Sequence, residues 1–130
     1  PVVTTHYCTN GSTVSEVVVT NQFNTLGLAW YAQASPATND LQAVAASDSL
    51  YVIAGADGMI ASSDDGMAWT VRESGTSRSL SGLEHWPGGF VAVGDAGTVL
   101  TSPDGLTWSP QTSGTDQWLY RVRHHAGLLV

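Results

Sequence analysis

The sequence predicts an all-β protein built from four-stranded antiparallel repeats of about 39 residues each. Two observations lead to this prediction. The tryptophans Trp30, Trp69 and Trp108 recur at a spacing of 39 residues, and each closes a Gly-x-x-Trp segment. Short apolar or β-branched runs, separated by glycine turns, fill each interval, and no stretch has helical periodicity. A constant spacing shared by many positions indicates one structural unit used repeatedly.

Each period contains four short β segments. In the best-defined period they are residues 41–46, 50–55, 59–62 and 68–73. A four-stranded meander of this length is typical of a β-propeller blade, whose faces are buried only when blades pack side by side. We therefore predict β-propeller-type repeats. They are a divergent partial blade over 1–40, blades over 41–79 and 80–118, and the start of a further blade over 119–130.

The first twenty residues are predicted to form strands at residues 2–5 and 14–20. The β-branched content of both segments favours extended structure. Between them, Asn10-Gly11-Ser12 is read as a hairpin turn, because Asn-Gly is a strong hairpin signal. The same tripeptide also matches the acceptor pattern for N-glycosylation. The flanking strands favour the turn.

The turn before Trp69 carries a family resemblance. Residues 62–69 read Ser-Ser-Asp-Asp-Gly-Met-Ala-Trp, and this segment resembles the Asp-box, or bacterial neuraminidase repeat, of pattern Ser-x-Asp-x-Gly-x-Thr-Trp. Ser62, Asp64, Gly66 and Trp69 match the pattern. The longer run from residue 74 to 108 is similar to bacterial repeats related to the photosystem II assembly factor propellers. The resemblance implies a propeller fold, and it implies no particular activity because Asp-boxes occur in enzymes and adhesins alike.

A looser copy of the motif occupies residues 101–108. It keeps Gly105, Thr107 and Trp108, but Pro103 stands where the pattern has aspartate, with Asp104 beside it. We interpret both copies as folding devices, in which glycine supplies a positive φ and Ser and Asp side chains bond turn amides. No EF-hand ligand spacing is present. The motif therefore predicts no catalytic residue, metal site or cofactor.

Composition restricts the partners of the chain. With four arginines, no lysine and eleven carboxylates, the net charge is −7, which argues against nucleic acid and anionic membranes. No apolar run is long enough for membrane insertion. Cys8 is the single cysteine, so no intrachain disulfide is expected. The low lysine content, with abundant Ser, Thr and Gly, resembles secreted bacterial β-proteins, and we expect an extracellular or periplasmic location.

Four aromatic side chains are candidates for contact with a ligand or partner. Trp86 and Trp118 lie outside the repeat consensus, which makes them candidates for exposed rings that stack on sugars or anchor protein partners. Packing between blades is the alternative role of the two tryptophans, and it is the one we favour. His85 and His124 lie one period apart, so they are expected at equivalent places in successive blades. A metal site formed by these histidines with Glu84 is the alternative to packing roles. The distance between equivalent positions of neighbouring blades favours packing.

The predicted function is a non-catalytic interaction module that binds protein or glycan through blade-end loops. One alternative is part of a carbohydrate-active enzyme, sialidase-like or glucanase-like, with catalytic residues partly outside this chain. Such an enzyme needs two carboxylates that face each other across a cleft. The loop candidates are Asp48, Asp57, Asp95 and Asp116, and their spacing does not select a pair. No arginine stands in the Arg-Ile-Pro signature of sialidases. A purely structural repeat of a surface layer or fibre is the other alternative.

The number of repeats is too small for a closed ring. The 130 residues hold about 3.3 periods, whereas a closed propeller takes at least about four blades. Two arrangements satisfy the open edges. Either the chain belongs to a longer propeller, or residues 119–130 of one chain complete the partial first blade of another in a homo-oligomer.

Overall fold

The structure is a computed structural model that describes residues 6–10, 13–17 and 34–130. The chain forms two compact units, Pro1–Ala34 and Ser35–Val130. In the first unit, β1 (His6–Asn10) pairs antiparallel with β2 (Thr13–Val17), with Asn10 opposite Thr13. This pairing agrees with the hairpin expected after Asn10. The predicted strand at 2–5, the turn residues 11–12 and the Trp30 segment lie outside the described residues.

The second unit begins with a four-stranded antiparallel sheet. Its strands β3 (Leu41–Ala46), β4 (Tyr51–Gly55), β5 (Ile60–Ser63) and β6 (Thr70–Arg72) lie side by side in chain order. The β3–β4 turn is closed by Ser47, whose amide donates to the Leu50 carbonyl at 2.8 Å. Alternating apolar residues allow both faces to pack, since successive side chains of a strand point to opposite sides.

A second sheet repeats the first. Its strands are β7 (Leu80–Trp86), β8 (Gly89–Gly94), β9 (Val99–Ser102) and β10 (Ser109–Gln111), again adjacent in chain order. Both first strands have a register irregularity at the same place, between Leu41 and Ala43 and between Leu80 and Gly82. The prediction of an all-β chain with antiparallel four-stranded sheets is confirmed. In the described residues, helical turns occur only as the 3-10 segments Ala56–Gly58 and Asp95–Gly97.

The last twelve residues begin the pattern a third time. Strands β11 (His124–His125) and β12 (Leu128–Leu129) form a two-stranded antiparallel ladder. It is extended by Arg123 and Val130, whose backbone groups exchange hydrogen bonds of 2.7 and 2.8 Å. These residues occupy the positions that β7 and β8 occupy in the second sheet.

The main core lies between the two sheets. One face of the first sheet, formed by Val52, Ala54 and Ile60, packs on the face of the second sheet that carries Leu83 and Phe90. Burial of each large apolar side chain contributes about 1.5–3 kcal/mol, so this contact is a main source of stability for the unit. The buried residues of the cluster are Val52, Ala54, Ile60, Leu80, Leu83, Phe90, Ala92, Leu100 and Trp108.

The opposite face of the second sheet is covered by the third segment. Val91 and Val93 are buried against Val122, with Leu119 and Leu129 packed at the margin. Leu119, Val122 and Leu129 stand one period after Leu80, Leu83 and Phe90. The second contact therefore uses the same positions as the first.

The turn between β5 and β6 is held by Ser63 and Asp65. The Asp65 Oδ1 atom accepts the amides of Met67 and Ala68 at 2.8 and 2.9 Å, and the Ser63 hydroxyl at 2.9 Å. Ser63 Oγ in turn accepts the Gly66 amide at 2.8 Å. The indole N–H of Trp69 donates to the Gly66 carbonyl at 3.2 Å. The amides of Gly66, Met67 and Ala68 thus all find their acceptors within the turn.

The turn between β9 and β10 has the same hydrogen bonds. Asp104 Oδ1 accepts the amides of Leu106 and Thr107 at 2.9 and 3.0 Å, and Ser102 Oγ accepts the Gly105 amide at 2.7 Å. The Trp108 indole donates to the Gly105 carbonyl at 3.2 Å. Gly105 and Gly66 both have a φ of 77°. Each residue that holds the first turn therefore has a counterpart with the same hydrogen bonds in the second.

These hydrogen bonds correct the predicted roles of Ser62 and Asp64. The turn uses Ser63 and Asp65, because a carboxylate reaches the two amides ahead of it from this position and not from residue 64. Asp64 is exposed and lies one period before Pro103. The proline in the second copy therefore stands at a position that does not accept turn amides, and the turn loses no hydrogen bond. Ser62 is buried in β5, where its hydroxyl accepts the Nε–H of Arg72 at 2.8 Å.

Candidate ligand-binding site

Trp118 and Tyr120 form an exposed aromatic pair in the segment between β10 and β11. Their ring centroids lie 5.2 Å apart and their planes differ by 5°, so the rings are stacked in parallel. The side chains lie on one side of the chain because residues two apart in an extended segment point the same way. Trp118 is 42% exposed and Tyr120 is 65% exposed. The pair offers a flat apolar surface to a ligand.

Ser81 anchors this pair to the second sheet. The Trp118 indole N–H donates to Ser81 Oγ at 3.0 Å, and Ser81 Oγ donates to the Leu119 carbonyl at 3.0 Å. Close backbone packing at Gly82 adds to the anchor. A Cβ placed on Gly82 would lie 2.9 Å from the Cα of Arg121 and 3.2 Å from the carbonyl oxygen of Tyr120. The aromatic pair is therefore attached to a rigid strand.

A groove of about 450 Å³ lies beside Ser81. It runs across the first strands of the two sheets and the start of the third segment. The polar residues that line it are Gln42, Ser81, Arg121 and Arg123. The apolar lining residues are Leu41, Ala43, Val44, Ile53, Gly82, Leu83 and Val122. The groove is open to solvent. It therefore suits an extended or flat ligand that lies along the surface, and it does not enclose a ligand completely.

Half of the positive charge of the chain lies at this groove. Arg121 and Arg123 are two of the four arginines in a chain of net charge −7. Arg123 is 3.5 Å from the Glu84 carboxylate. No carboxylate of the described residues pairs with Arg121, whose side chain is exposed. The local sign of charge is thus opposite to that of the molecule, and it favours a ligand with an anionic group.

Trp86 has a packing role, which is the favoured of its two predicted roles, and does not form part of an exposed contact surface. Its ring packs in the cluster of Val91, Val93 and Val122, and the third segment covers it. The Trp86 indole N–H is buried and has no hydrogen-bond partner in the described part of the chain. Trp86 is thus part of the packing between the second sheet and the third segment.

The two histidines lie in aromatic packing contacts. The His85 ring is 4.9 Å from Phe90, tilted by 56°, and the His124 ring is 6.5 Å from Trp86, tilted by 47°. Within the described ranges, no three His, Cys, Asp or Glu side chains form a group that could hold a metal ion. The structure brings neither histidine together with Trp118.

The carboxylates of the two turns are held in their ionised form. Hydrogen bonds from the Ala68 and Met67 amides and from Ser63 lower the pKa of Asp65. Amides of Thr107 and Leu106, with the Ser102 hydroxyl, lower the pKa of Asp104 in the same way. A general acid needs the opposite shift, because it must hold a proton near neutral pH. Asp65 and Asp104 are therefore suited to a structural role in their turns and not to general-acid catalysis.

Sequence reasoning identified Trp118 and missed its partners Tyr120, Ser81 and Arg121. A signal for Tyr120 was present, since the equivalent positions one and two periods earlier are Ser81 and Gln42. An aromatic residue that interrupts a repeat marks a position whose role is not imposed by the fold. The anchoring role of Ser81 has no such signal, because serine is ordinary at a strand start.

Comparisons with protein-family models, with curated proteins and with solved structures gave no match to this chain. Across 34–130 and the two short N-terminal strands, no helix is long and apolar enough to cross a membrane.

Proposed function

We propose that this chain is a non-catalytic, β-propeller-type interaction module that binds protein or glycan through the loops at the ends of its sheets. In this proposal the two four-stranded sheets are consecutive blades, and the β5–β6 and β9–β10 turns are Asp-box-like. The support for blades is the repeated face-to-face packing of equivalent residues. The support for binding is the aromatic pair next to the groove.

The stacked pair of Trp118 and Tyr120 is the observation that carries the proposal. Large aromatic rings at a surface are retained at binding sites because their faces stack on sugar rings or apolar side chains. Here the rings are fixed before binding by the Ser81 hydrogen bond and by their mutual stacking. A fixed surface loses little conformational entropy when a ligand docks, so more of the contact energy contributes to affinity.

Arg121 supplies the polar part of the proposed site. Arg121 is one of the residues that line the groove beside Ser81, and its exposed side chain can make a charge-assisted hydrogen bond to a carboxylate or sulfate of the ligand. The combination of a flat aromatic surface and one cation recognises a ligand that has both an apolar face and an anionic group. It contains no nucleophile–base pair, which is why binding is preferred to turnover.

A glycan array probed with the labelled chain, followed by calorimetry with the glycans that bind, tests this function. Trp118→Ala is expected to weaken binding about tenfold or more, since loss of a central aromatic contact costs at least about 1.4 kcal/mol. Leu106→Ala is the matched control, because Leu106 is a comparably exposed apolar residue at 41% on another loop. Equal binding by Trp118→Ala and the unmodified chain would contradict the proposed site.

The enzyme alternative is tested on the same preparation. The module is expected to release no fluorophore from sialoside or β-glucan substrates, and binding should persist without hydrolysis. Turnover that disappears on replacing a loop aspartate would contradict the non-catalytic assignment. If no glycan on the array binds the chain, the proposed function is restricted to protein binding.

A further inference from the structure

A pocket of about 280 Å³ lies where the turns of the two sheets meet. It is lined by Leu50 of the β3–β4 turn, by Asp64 and Ala68 of the β5–β6 turn, and by Leu106 of the β9–β10 turn. The volume is slightly below the range of pockets that hold drug-sized ligands, so this pocket suits a smaller molecule. It shares no residue with the groove beside Ser81.

Arg72 brings a positive charge to this pocket. Its Nε–H donates to Ser62 Oγ at 2.8 Å, so the guanidinium group lies beside a second lining residue. Arg72 is half-buried, and no carboxylate within residues 34–130 forms an ion pair with it. Its terminal amino groups donate no hydrogen bond to a described residue. These two amino groups can therefore bind a carboxylate in a bidentate manner.

Ser62 adds a buried hydroxyl group to the same place. Its side chain is 2% exposed, and its oxygen accepts the Arg72 Nε–H, but its hydroxyl hydrogen has no acceptor among the described residues. A buried donor without an acceptor costs free energy. An anion bound by Arg72 supplies that acceptor, so both residues favour the same kind of ligand group.

Asp64 brings the opposite charge to the pocket. It is exposed, and in the described part of the chain its carboxylate forms no ion pair, neither with Arg72 nor with another arginine. One period later the sequence has Pro103, so the fold does not need a carboxylate at this position. Two opposite charges thus line one small pocket without neutralising each other. A ligand that carries both a negative and a positive group can pair with both.

The repeat indicates that the fold does not need the positive charge either. The positions one period before and after Arg72 are Gln33 and Gln111. In the second sheet the Gln111 side-chain amide donates to Thr101 Oγ1 at 3.0 Å, which is the neutral counterpart of the Arg72–Ser62 hydrogen bond. A residue that departs from its repeat has a role that the shared fold does not impose.

We propose that this pocket binds a free apolar α-amino acid in its zwitterionic form. Arg72 and Ser62 bind the α-carboxylate, and Asp64 binds the α-ammonium group. The apolar side chain of the ligand lies against the lining residues Leu50 and Leu106. No covalent bond forms or breaks. The pocket is separate from the groove beside the aromatic pair, so this inference is independent of the proposed function.

Saturation-transfer NMR and calorimetry of the unmodified chain with L-leucine test the proposal. Saturable binding is expected, and N-acetyl-L-leucine and L-leucinamide, which each lack one of the two charges, should bind at least about tenfold more weakly. No saturation at concentrations up to about 10 mM L-leucine would overturn the proposal. Equal binding of N-acetyl-L-leucine would also overturn it, because the pocket would then recognise simple carboxylates.

Arg72→Gln and Asp64→Asn test the two charges separately, and each is expected to weaken L-leucine binding at least about tenfold. Arg72→Gln introduces the residue that the second sheet has at this position, so the circular-dichroism spectrum should not change. Arg78→Gln and Glu73→Gln are the matched controls, because they remove the same charges from exposed residues that do not line the pocket. Both controls should bind L-leucine as the unmodified chain does. Unchanged affinity in a folded Arg72→Gln variant would contradict the assigned site.

Discussion

Ser102 donates its hydroxyl hydrogen to Asp104 Oδ1 at 3.1 Å, and thirty-nine residues earlier Ser63 makes the same bond to Asp65 at 2.9 Å. In both turns the aspartate also accepts two backbone amides, which the strands leave without a partner. Side-chain-to-backbone hydrogen bonds of this kind hold a turn in one conformation, so each aspartate favours closure of its hairpin.

The first prediction separates Asp65 from its neighbour Asp64. Asp65→Ala is expected to lower the urea midpoint of unfolding, because the Met67 and Ala68 amides lose their acceptor. Asp64→Ala should change the free energy of unfolding by less than about 0.5 kcal/mol, as is usual for an exposed side chain that accepts no turn amide. Equal effects of the two changes would contradict the assignment of Asp65 as the turn acceptor.

The second prediction concerns acid. Because the turn amides lower the pKa of Asp65 and Asp104 in the folded state, their contribution to stability is present above the unfolded-state pKa and disappears as the pH falls through the folded pKa. We therefore expect part of the loss of stability below about pH 4 to vanish in Asp65→Asn/Asp104→Asn. Carboxyl-carbon NMR titration measures both groups directly. Titration of either carboxyl at or above 3.8 would contradict the expected direction.

The repeat made much of the fold predictable from sequence. Strand positions in the first sheet agree with the predicted segments to within two residues, because glycine turns and alternating apolar residues define them locally. The identity of the turn aspartate was not predictable from the motif alone. The motif pattern selects Asp64, whereas the spacing of 39 residues aligns Asp65 with Asp104 and Asp64 with Pro103, and the hydrogen bonds agree with the spacing.

The candidate site was predictable only in part. Trp118 was identified because it departs from the repeat, but the same reasoning selected Trp86, which lies inward. Whether such a residue is exposed depends on the neighbouring segment, and a single sequence does not specify that contact. The Ser81–Trp118 hydrogen bond joins residues 37 apart, and no local pattern indicates it.

The third prediction compares two glycines of equal backbone conformation. Gly66→Ala and Gly105→Ala both place a Cβ at a φ of 77°, which costs about 1–2 kcal/mol. At Gly105 the added Cβ would also lie 2.5 Å from Cδ2 of Leu50, in the β3–β4 turn, and 3.1 Å from Cε2 of the buried Phe90 ring, whereas at Gly66 the nearest atom is 4.0 Å away. Gly105→Ala should therefore lower the free energy of unfolding by about 1–3 kcal/mol more. Identical urea midpoints would show that the two turns have equivalent surroundings, contrary to the packing between the sheets.

The fourth prediction uses two half-buried tryptophans that differ in one hydrogen bond. Trp69 donates its indole N–H to the Gly66 carbonyl at 3.2 Å, whereas the buried N–H of Trp86 has no partner among the described residues. Trp69→Phe loses that bond, but Trp86→Phe removes an unsatisfied donor, and the two changes delete the same atoms. Trp69→Phe should consequently cost about 0.5–1.5 kcal/mol more in the free energy of unfolding. Chemical denaturation of both variants at pH 7 measures the difference. A larger loss for Trp86→Phe would mean that its indole N–H has an acceptor in the folded protein.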